Sequence, residues 1–424
     1  MVGAVPRQIL TTLIGKAVRA GMRLRGGGSA LPGLVVEKID RTFVARTLKD
    51  LPYGVVVISG TNGKTTTTKI VSEILEARGL KVFTNRTGSN FSRGVAAALL
   101  GEISLRGKLD ADIAVLEMDE AWAVKFVQMV PPRYSLLLNV MRDQLDRFGQ
   151  IDTTAGFLGK IAEATTGKVV LNRDDARVYR LREQTRAEVH YFGLTTELLQ
   201  VMPTDDALKA GGAVANDDVP TEVLLTHIGN QEAGFLIDGE THHVSVSLKG
   251  VHNLLNAAAA LSLVRVITPE TPIETLLTAL SRVQPAFGRG ESIMYRGTPI
   301  DLLLAKNPSS FRLNLLSAAQ RQHATMIAIN DNYADGRDMS WLWDVDFSAL
   351  SRVSLVTGAR AHDMALRLKY DEVPLGGVEE DLETALDRFL KEHPAEPKQI
   401  LCSYTAMLNL RKLLAARTEV EHIS

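Results

Sequence analysis

The sequence predicts an α/β protein with two α/β domains, the first organised around a phosphate-binding loop on a parallel sheet. Three observations carry this. Val55-Val56-Val57 runs into Ile58-Ser59-Gly60-Thr61-Asn62-Gly63-Lys64-Thr65-Thr66-Thr67 and then into helical Lys69–Leu75, the order strand, glycine loop, helix. Short continuous apolar runs alternate with helical stretches from Val55 to Asn172, the pattern of a parallel sheet covered on both faces. The alternation then restarts after Gln284-Pro285-Ala286-Phe287-Gly288-Arg289-Gly290, where Pro and Gly punctuate a domain boundary. The second unit reads as Rossmann-like.

At 424 residues the chain exceeds one ordinary core. Its 45% hydrophobic content and mean hydropathy of +0.03 match a soluble globular protein. Lys plus Arg is 48 against 49 Asp plus Glu, a net of −1, so bulk charge gives no case for nucleic acid as a partner. The lone Cys402 excludes an internal disulfide and a Cys-rich zinc site, which places the chain in a reducing, cytoplasmic compartment. No run approaches the ~20 apolar residues of a membrane span.

Residues 1–40 read as an N-terminal helix and a Gly-rich lead-in, Gly26-Gly27-Gly28-Ser29-Ala30-Leu31-Pro32-Gly33. The helix mixes Ile9, Leu10, Leu13, Ile14, Met22 and Leu24 with Arg7, Lys16, Arg19, Arg23 and Arg25. It has two readings: an amphipathic helix packed on the protein, or peripheral contact with the anionic inner face of a membrane. The central domain spans 41–290. Its strands are Val55–Ser59, Lys81–Thr84, Ile113–Met118, Ser135–Val140 and Val169–Asn172. Glu222–His227, Gly234–Ile237 and His243–Leu248 read as antiparallel strands with turns at Gly229-Asn230 and Asp238-Gly239, a small β insertion over 194–248. A helix follows from His252 to Ile267. In the C-terminal domain, 291–424, Asp301–Ala305, Thr325–Asn330 and Val353–Thr357 read as strands, with helices near 310–321, 361–369 and 380–391.

The chemistry-bearing residues gather after strands. In the glycine loop, backbone N–H groups of Gly60, Thr61, Asn62 and Gly63 can close around phosphate oxygens at a helix N-terminus. Lys64 can reach the outer phosphates, the Thr65 hydroxyl can ligate Mg²⁺, and Thr66 follows on the same turn. The spacing departs from the general P-loop, because Ile58 stands where a glycine is usual. Strand Ile113–Met118 ends in Glu117-Met118-Asp119-Glu120, carboxylates at the edge where α/β sheets bind ligands, and Glu117 is the preferred Mg²⁺ ligand. Asn139 to Asp146 is a second polar cluster at that edge. Asn253 and Asn256 open a helix and could hold an adenine edge, a phosphate, or only the helix end.

Together and in this order these motifs resemble the Mur ligase family over about residues 40–295. Gly60–Thr66 matches its ATP loop and Glu117 its Mg²⁺-binding glutamate. Asn139…Asp143-Gln144-Leu145-Asp146 resembles its Asn…Asp-His-Leu-Asp stretch, with Gln144 for His. Asn253, Asn256 and Arg289 resemble its ATP-side asparagines and linker arginine. A closer resemblance, nearly end to end, is to the MurT branch, the ligase subunits of lipid II isoglutaminyl synthase. It rests on Gly27–Gly33, Arg142–Gly149, Leu304–Pro308, Asn330–Trp341, Thr357–Ala361 and Tyr404–Leu408.

The resemblance implies ATP- and Mg²⁺-dependent amidation of the D-isoglutamate α-carboxylate of lipid II in peptidoglycan synthesis. A GatD-type glutaminase subunit would supply the ammonia. It also implies that the ligase lends an aspartate to that glutaminase: Asp338 by position in the motif, Asp335 as second choice. Two departures stand out. Many relatives carry a four-cysteine zinc ribbon after a Tyr-(Tyr/Phe)-Gly segment, whereas residues 194–240 here hold no cysteine, so zinc is not expected. The carbamylated lysine of peptide-forming relatives would fall near Leu158, two residues from Lys160, and is not carried over. The alternatives are an amino-acid-adding Mur or folylpolyglutamate ligase, and a non-catalytic nucleotide-binding regulatory subunit.

Overall fold

The computed structural model describes residues 7–24, 31–85, 92–141, 151–201, 216–229, 231–248, 251–284, 289–319 and 323–418. The chain forms two compact units. The first comprises Met1–Val140, Asp152–Val246 and Leu254–Val283; the second comprises Met141–Ile151, Ser247–Asn253 and Gln284–Ser424.

Three helices lead the first unit: α1 (Arg7–Leu24), α2 (Leu31–Ile39) and α3 (Phe43–Leu48). The alternation follows as β1 (Gly54–Ser59), α4 (Lys64–Ala77), β2 (Val82–Thr84), α5 (Ser92–Glu102), β3 (Ile113–Glu117), α6 (Glu120–Met129) and β4 (Tyr134–Leu137). It continues with α7 (Ile151–Ala164), β5 (Lys168–Asn172), α8 (Ala176–Arg180), β6 (Glu188–Leu194) and α9 (Thr196–Val201). The strands β7 (Val223–Ile228), β8 (Glu232–Ile237) and β9 (Glu240–Ser245) precede helices α10 (Val251–Ile267) and α11 (Ile273–Arg282).

All nine strands form one sheet in the order β2-β3-β1-β4-β5-β6-β7-β8-β9. From β2 to β7 the pairing is parallel. Val55 to Ile58 are buried at every position, inward and outward alike, because helices cover both faces; a one-sided strand would alternate. The sequence-derived β4 is corrected at its end. Pairing stops at Leu137, since the Asn139 carbonyl turns to accept Thr61 N–H at 3.0 Å and Val140 N–H donates to Asp175 at 2.7 Å.

The β insertion is also corrected. Its strands are antiparallel as expected, but β7 pairs in parallel with β6, so they extend the central sheet instead of forming a separate subdomain. Alternating polarity shows that such strands pair, not which edge they join. Asp238 and Gly239 both take positive φ, 52° and 85°, the two-residue turn whose twist suits a hairpin. Asn230, part of the other expected turn, lies outside the described residues.

The second unit is a six-stranded sheet in the order β10-β11-β15-β12-β13-β14. Its elements are β10 (Arg289–Tyr295), β11 (Thr298–Leu304), α12 (Pro308–Ala319), β12 (Ala324–Ala328), a 3₁₀ turn Ser340–Asp344, β13 (Leu355–Thr357) and α13 (Ala361–Tyr370). They end with β14 (Val378–Glu379), α14 (Leu382–Glu392), β15 (Lys398–Cys402) and α15 (Tyr404–Ala415). Only β10 runs antiparallel. One core, including Phe311, Ile327, Phe347 and Met364, lies on one face; another, including Met326, Phe389, Ile400 and Leu410, lies on the other. Cys402 is fully buried in the second core, and burial pushes its thiol far above the ordinary range, so it behaves as a small hydrophobe.

Candidate active site

The glycine loop joins β1 to α4 at the C-terminal edge of the parallel sheet, as the sequence implies. Gly63 takes φ +90°, and a Cβ there would sit 2.3 Å from Asn256 Oδ1. Both facts demand glycine: the conformation is left-handed, and the α10 asparagine fills the space a side chain would need. The loop is held from a second side by Asn139. Its Oδ1 accepts Asn62 N–H at 2.9 Å and its Nδ2 donates to the Asn62 carbonyl at 3.0 Å. Asn139 is thus a brace for the loop backbone. It is itself fixed by β5, since Asn172 Nδ2 donates to the Leu138 carbonyl at 2.9 Å.

Asp175 caps α8 by accepting from Arg177 N–H and Val178 N–H at 3.0 and 3.1 Å, while its other oxygen takes Val140 N–H. Burial pushes its carboxyl up to about 6 against those three backbone donors. Its neighbour Asp174 is also raised to about 6 by burial, opposed by Leu194 N–H and Arg173.

Three reactive-type side chains meet on this edge. Lys64 Nζ donates to the Gly60 carbonyl and, at 3.2 Å, to the Thr61 carbonyl; it also lies 3.3 Å from Glu120 Oε2. Thr65 Oγ1 donates to Glu117 Oε1 at 2.8 Å. The Glu117 backbone is clamped by Asn85, whose Oδ1 accepts Glu117 N–H at 2.9 Å while its Nδ2 donates to the Glu117 carbonyl at 2.8 Å. The Thr66 hydroxyl is buried in the first turn of α4 without a hydrogen-bond partner, an orphaned donor beside a helix N-terminus.

These groups suit a nucleoside triphosphate with a divalent cation. Around an octahedral Mg²⁺ with bonds of ~2.0–2.1 Å, adjacent ligands are about 2.8–3.0 Å apart, a range that includes the 2.8 Å between the Thr65 and Glu117 oxygens. One expectation is corrected: Thr61 N–H and Asn62 N–H do not face a phosphate, because both donate to Asn139, at 3.0 and 2.9 Å; the α4 N-terminus and the Lys64 cation remain as the features that favour anionic phosphate.

The expected residues therefore converge in part. Gly60, Thr61, Asn62, Gly63, Lys64, Thr65, Glu117, Asn139 and Asn256 are brought together. Asn253 is buried one turn before Asn256 on α10. Arg289 starts β10 opposite Leu303, with its side chain outside the described residues, as are Asp143, Gln144, Leu145, Asp146 and Gly288. Asn85 and Asp175 are positioning residues that the sequence did not single out, because their partners Glu117 and Val140 lie 32 and 35 residues away; Glu120, legible as an edge carboxylate, proves to face Lys64.

A second polar edge belongs to the C-terminal unit. After β12, Asn330 N–H donates to Ser403 Oγ at 2.9 Å and Asn330 Oδ1 accepts Ala359 N–H at 3.1 Å, tying the loop to the edges of β15 and β13. Asp335 is buried and fully engaged: Oδ1 accepts Thr405 N–H at 2.7 Å, and Oδ2 accepts Thr405 Oγ1 at 2.5 Å and Asn332 N–H at 3.1 Å. Asp338 differs. It is exposed, its Oδ1 accepts Ser340 N–H at 2.9 Å, and the Ser340 side chain and backbone hold its carboxyl below the usual carboxylate range. Asp335 is thus spent on the loop, whereas Asp338 presents a charged carboxylate outward. Among the described residues no group of three or more His, Cys, Asp or Glu could hold a metal ion.

A phosphate-type glycine loop at the C-terminal edge of a parallel sheet, followed by a second α/β sheet, defines the class as a two-unit α/β protein with a nucleotide-type loop. Known proteins place it more closely. The Mur ligase middle domain matches residues 58–264, and the MurT ligase C-terminal domain matches residues 304–407. The chain is 29% identical to the lipid II isoglutaminyl synthase (glutamine-hydrolyzing) subunit MurT of Streptococcus pneumoniae, covering 96% of this chain and 97% of that one. It is also 29% identical to the Staphylococcus aureus subunit of the same name, covering 87% and 89%. In fold it is similar to MurF ligase from Thermotoga maritima in complex with ADP, with TM-score 0.69, 17% identity, and coverage of 91% of this chain and 83% of that one. The chain belongs to the Mur ligase family, in its MurT branch.

Proposed function

We propose that this chain is the ATP-dependent ligase subunit of a lipid II isoglutaminyl synthase, working with a GatD-type glutaminase. The observation that carries the reading is the end-to-end similarity to MurT subunits, which includes both the phosphate-loop unit and the Asn330–Trp341 edge. ATP would bind at the Gly60–Thr66 loop. The α-carboxylate of D-isoglutamate attacks the γ-phosphorus, the bond to the β-phosphate oxygen breaks, and ADP leaves an acyl phosphate. Ammonia then adds to the acyl carbon and expels phosphate, giving the D-isoglutamine amide.

Lys64 would neutralise charge growing on the transferred phosphoryl oxygens. Mg²⁺, held by Thr65 and Glu117, would supply Lewis-acid stabilisation of the same charge. Asn139 and Asn85 would keep the loop and Glu117 in register through their backbone bonds, and Asn256 would do so by packing against Gly63. Ammonium dominates at neutral pH, so a partner that releases ammonia within a complex serves the second step. Asp338, outward and ionised, would orient the partner's catalytic histidine.

The test is the purified chain with lipid II, ATP, Mg²⁺ and an ammonium salt at mildly alkaline pH. The reading predicts amidated lipid II by mass spectrometry, with ADP and phosphate released in equal amounts. Incorporation of an added amino acid in place of ammonia would instead identify an amino-acid-adding ligase, and nucleotide binding without turnover a regulatory subunit.

A further inference from the structure

The leading helices carry an inversion of the usual polarity. α1 packs inward through Thr11 and Thr12, both buried, and through Gly15, where a Cβ would meet Leu100 at 2.5 Å and Val36 at 2.7 Å. Its outward residues are Leu10, Leu13, Ala17 and Ala20, at helical spacing along one stripe. Leu10 is 51% exposed and Leu13 43%, and Leu31 at the start of α2 is 44% exposed. A helix recruited only for stability turns its leucines in and its threonines out; here the reverse holds.

A loop beside α1 repeats the pattern. A Cβ on Gly107 would lie 3.2 Å from Thr12 Oγ1, which places the 103–108 segment against the helix. Leu105 in that segment is 63% exposed and stands next to Arg106, with Lys108 two residues further on, both exposed. The charge along α1 is one-signed. Before Glu37 the chain contains Arg7, Lys16, Arg19, Arg23 and Arg25 and no acidic residue, in a protein whose net charge is −1. The nearby acids are Glu102, Glu37, paired with Arg93 at 3.2 Å, and Asp110, paired with Lys81 at 2.7 Å. Among the described residues no helix is long and apolar enough to cross a membrane.

We propose that α1 and the Leu105 loop form a docking surface for an anionic lipid bilayer. Leu10, Leu13, Leu31 and Leu105 would enter the headgroup boundary, with Lys16, Arg106 and Lys108 at the lipid phosphates. A second copy of this chain is disfavoured as occupant, since self-association would set a basic face against itself. The biological use of this surface, reaching a lipid-linked acceptor, rests on the proposed function; the docking itself does not.

The experiment is co-sedimentation of the full-length protein with vesicles of phosphatidylcholine alone or with added phosphatidylglycerol, without lipid II or ATP. The protein should bind the anionic vesicles, weaken with salt, and ignore the neutral ones. Leu10→Gln/Leu13→Gln/Leu105→Gln should bind at least about tenfold more weakly, and Lys16→Gln/Arg106→Gln/Lys108→Gln roughly fivefold more weakly per charge removed. Both variants should keep an unchanged melting temperature and should amidate lipid II in detergent micelles like the parent. Absent binding to anionic vesicles, or equal binding by parent and leucine variant, overturns the proposal. So does a parent dimer that the leucine variant dissolves. Vesicle binding without amidation in micelles supports the docking surface and counts against the proposed function alone.

Discussion

The two units present polar loops at the same place, the C-terminal edge of a largely parallel sheet, and use them in opposite ways. In the first, glycines and braces hold a lysine, a hydroxyl and a carboxylate around one point: Lys64, Thr65 and Glu117. The braces from Asn139 to Asn62 and from Asn85 to Glu117 go to backbone, so the Glu117 carboxylate and the Thr65 hydroxyl are not used in bracing and meet each other, while Lys64 rests on the Gly60 and Thr61 carbonyls beside Glu120. In the second, the side chains of Asn330, Asn332 and Asp335 all bond to Thr405, and Asp335 also accepts the Asn332 backbone N–H, whereas Asp338 stays exposed. An identical topological position therefore does not imply identical chemistry. What decides is whether the polar groups are consumed by the loop or left over after it is built.

The largest expected effect that separates the two edges is Lys64→Ala. Removing the phosphate-facing cation should lower amidation by orders of magnitude with either ammonia source, while circular dichroism shows a folded chain. Near-parent amidation by this variant would remove the ATP site from the first edge.

Gly63→Ala comes next. Its methyl group would overlap Asn256, and its φ of +90° disfavours alanine, so the loop must shift by a few tenths of an ångström or more. ATP turnover should fall by about 10²-fold, with little change in the melting temperature of the second unit. A variant as active as the parent would show that Asn256 does not set the loop.

Asp335→Asn probes the consumed side of the comparison. The amide can no longer accept at both ends, so one donor at Thr405 or Asn332 is left unpaired. Stability should drop by about 1–3 kcal/mol in denaturant unfolding. The ratio of glutamine- to ammonium-driven activity should stay constant. A selective loss of the glutamine-driven reaction would shift the orienting role from Asp338 to Asp335.

The smallest effect is a pH slope. Asp175 has a folded-state carboxyl raised to about 6 from 3.8, so the fold holds its proton more tightly than the unfolded chain does. Its contribution is most favourable below the unfolded value and is lost as pH rises through about 6; the full difference is at most about 3 kcal/mol. Asp175→Asn removes this titration, though it costs the Val140 or the cap bond. Unfolding free energies at pH 5 and pH 7 should therefore differ by less in the variant than in the parent. Equal slopes would mean that Asp175 is ionised across this range in the folded protein.

Much of this was legible in the chain itself. Continuous apolar runs gave β1 to β5, because strands buried on both faces leave no polar alternation to confuse them. The loop chemistry was legible because glycines, Lys64 and Thr65 are adjacent in sequence. Legibility failed where partners are distant or mixed. Glu120 and Asn85 lie far from Lys64 and Glu117 along the chain, and pairing across strands leaves no local trace. β10, Arg-Gly-Glu-Ser-Ile-Met-Tyr over Arg289–Tyr295, was hidden because its first two residues close the Pro- and Gly-punctuated stretch that reads as a boundary. The division between Asp335 and Asp338 was equally hidden: three residues apart in one polar run, they differ only because Thr405, 70 residues on, claims one of them.

The division of labour between the edges is tested most directly by Asp338→Asn in the assembled complex. Amidation of lipid II would be measured with glutamine and, separately, with an ammonium salt. A carboxylate that orients a partner's histidine should cost about 10⁴ in rate when neutralised, so the glutamine-driven reaction should collapse while the ammonium-driven one stays near the parent value. Equal loss of both, or loss of neither, would contradict the account.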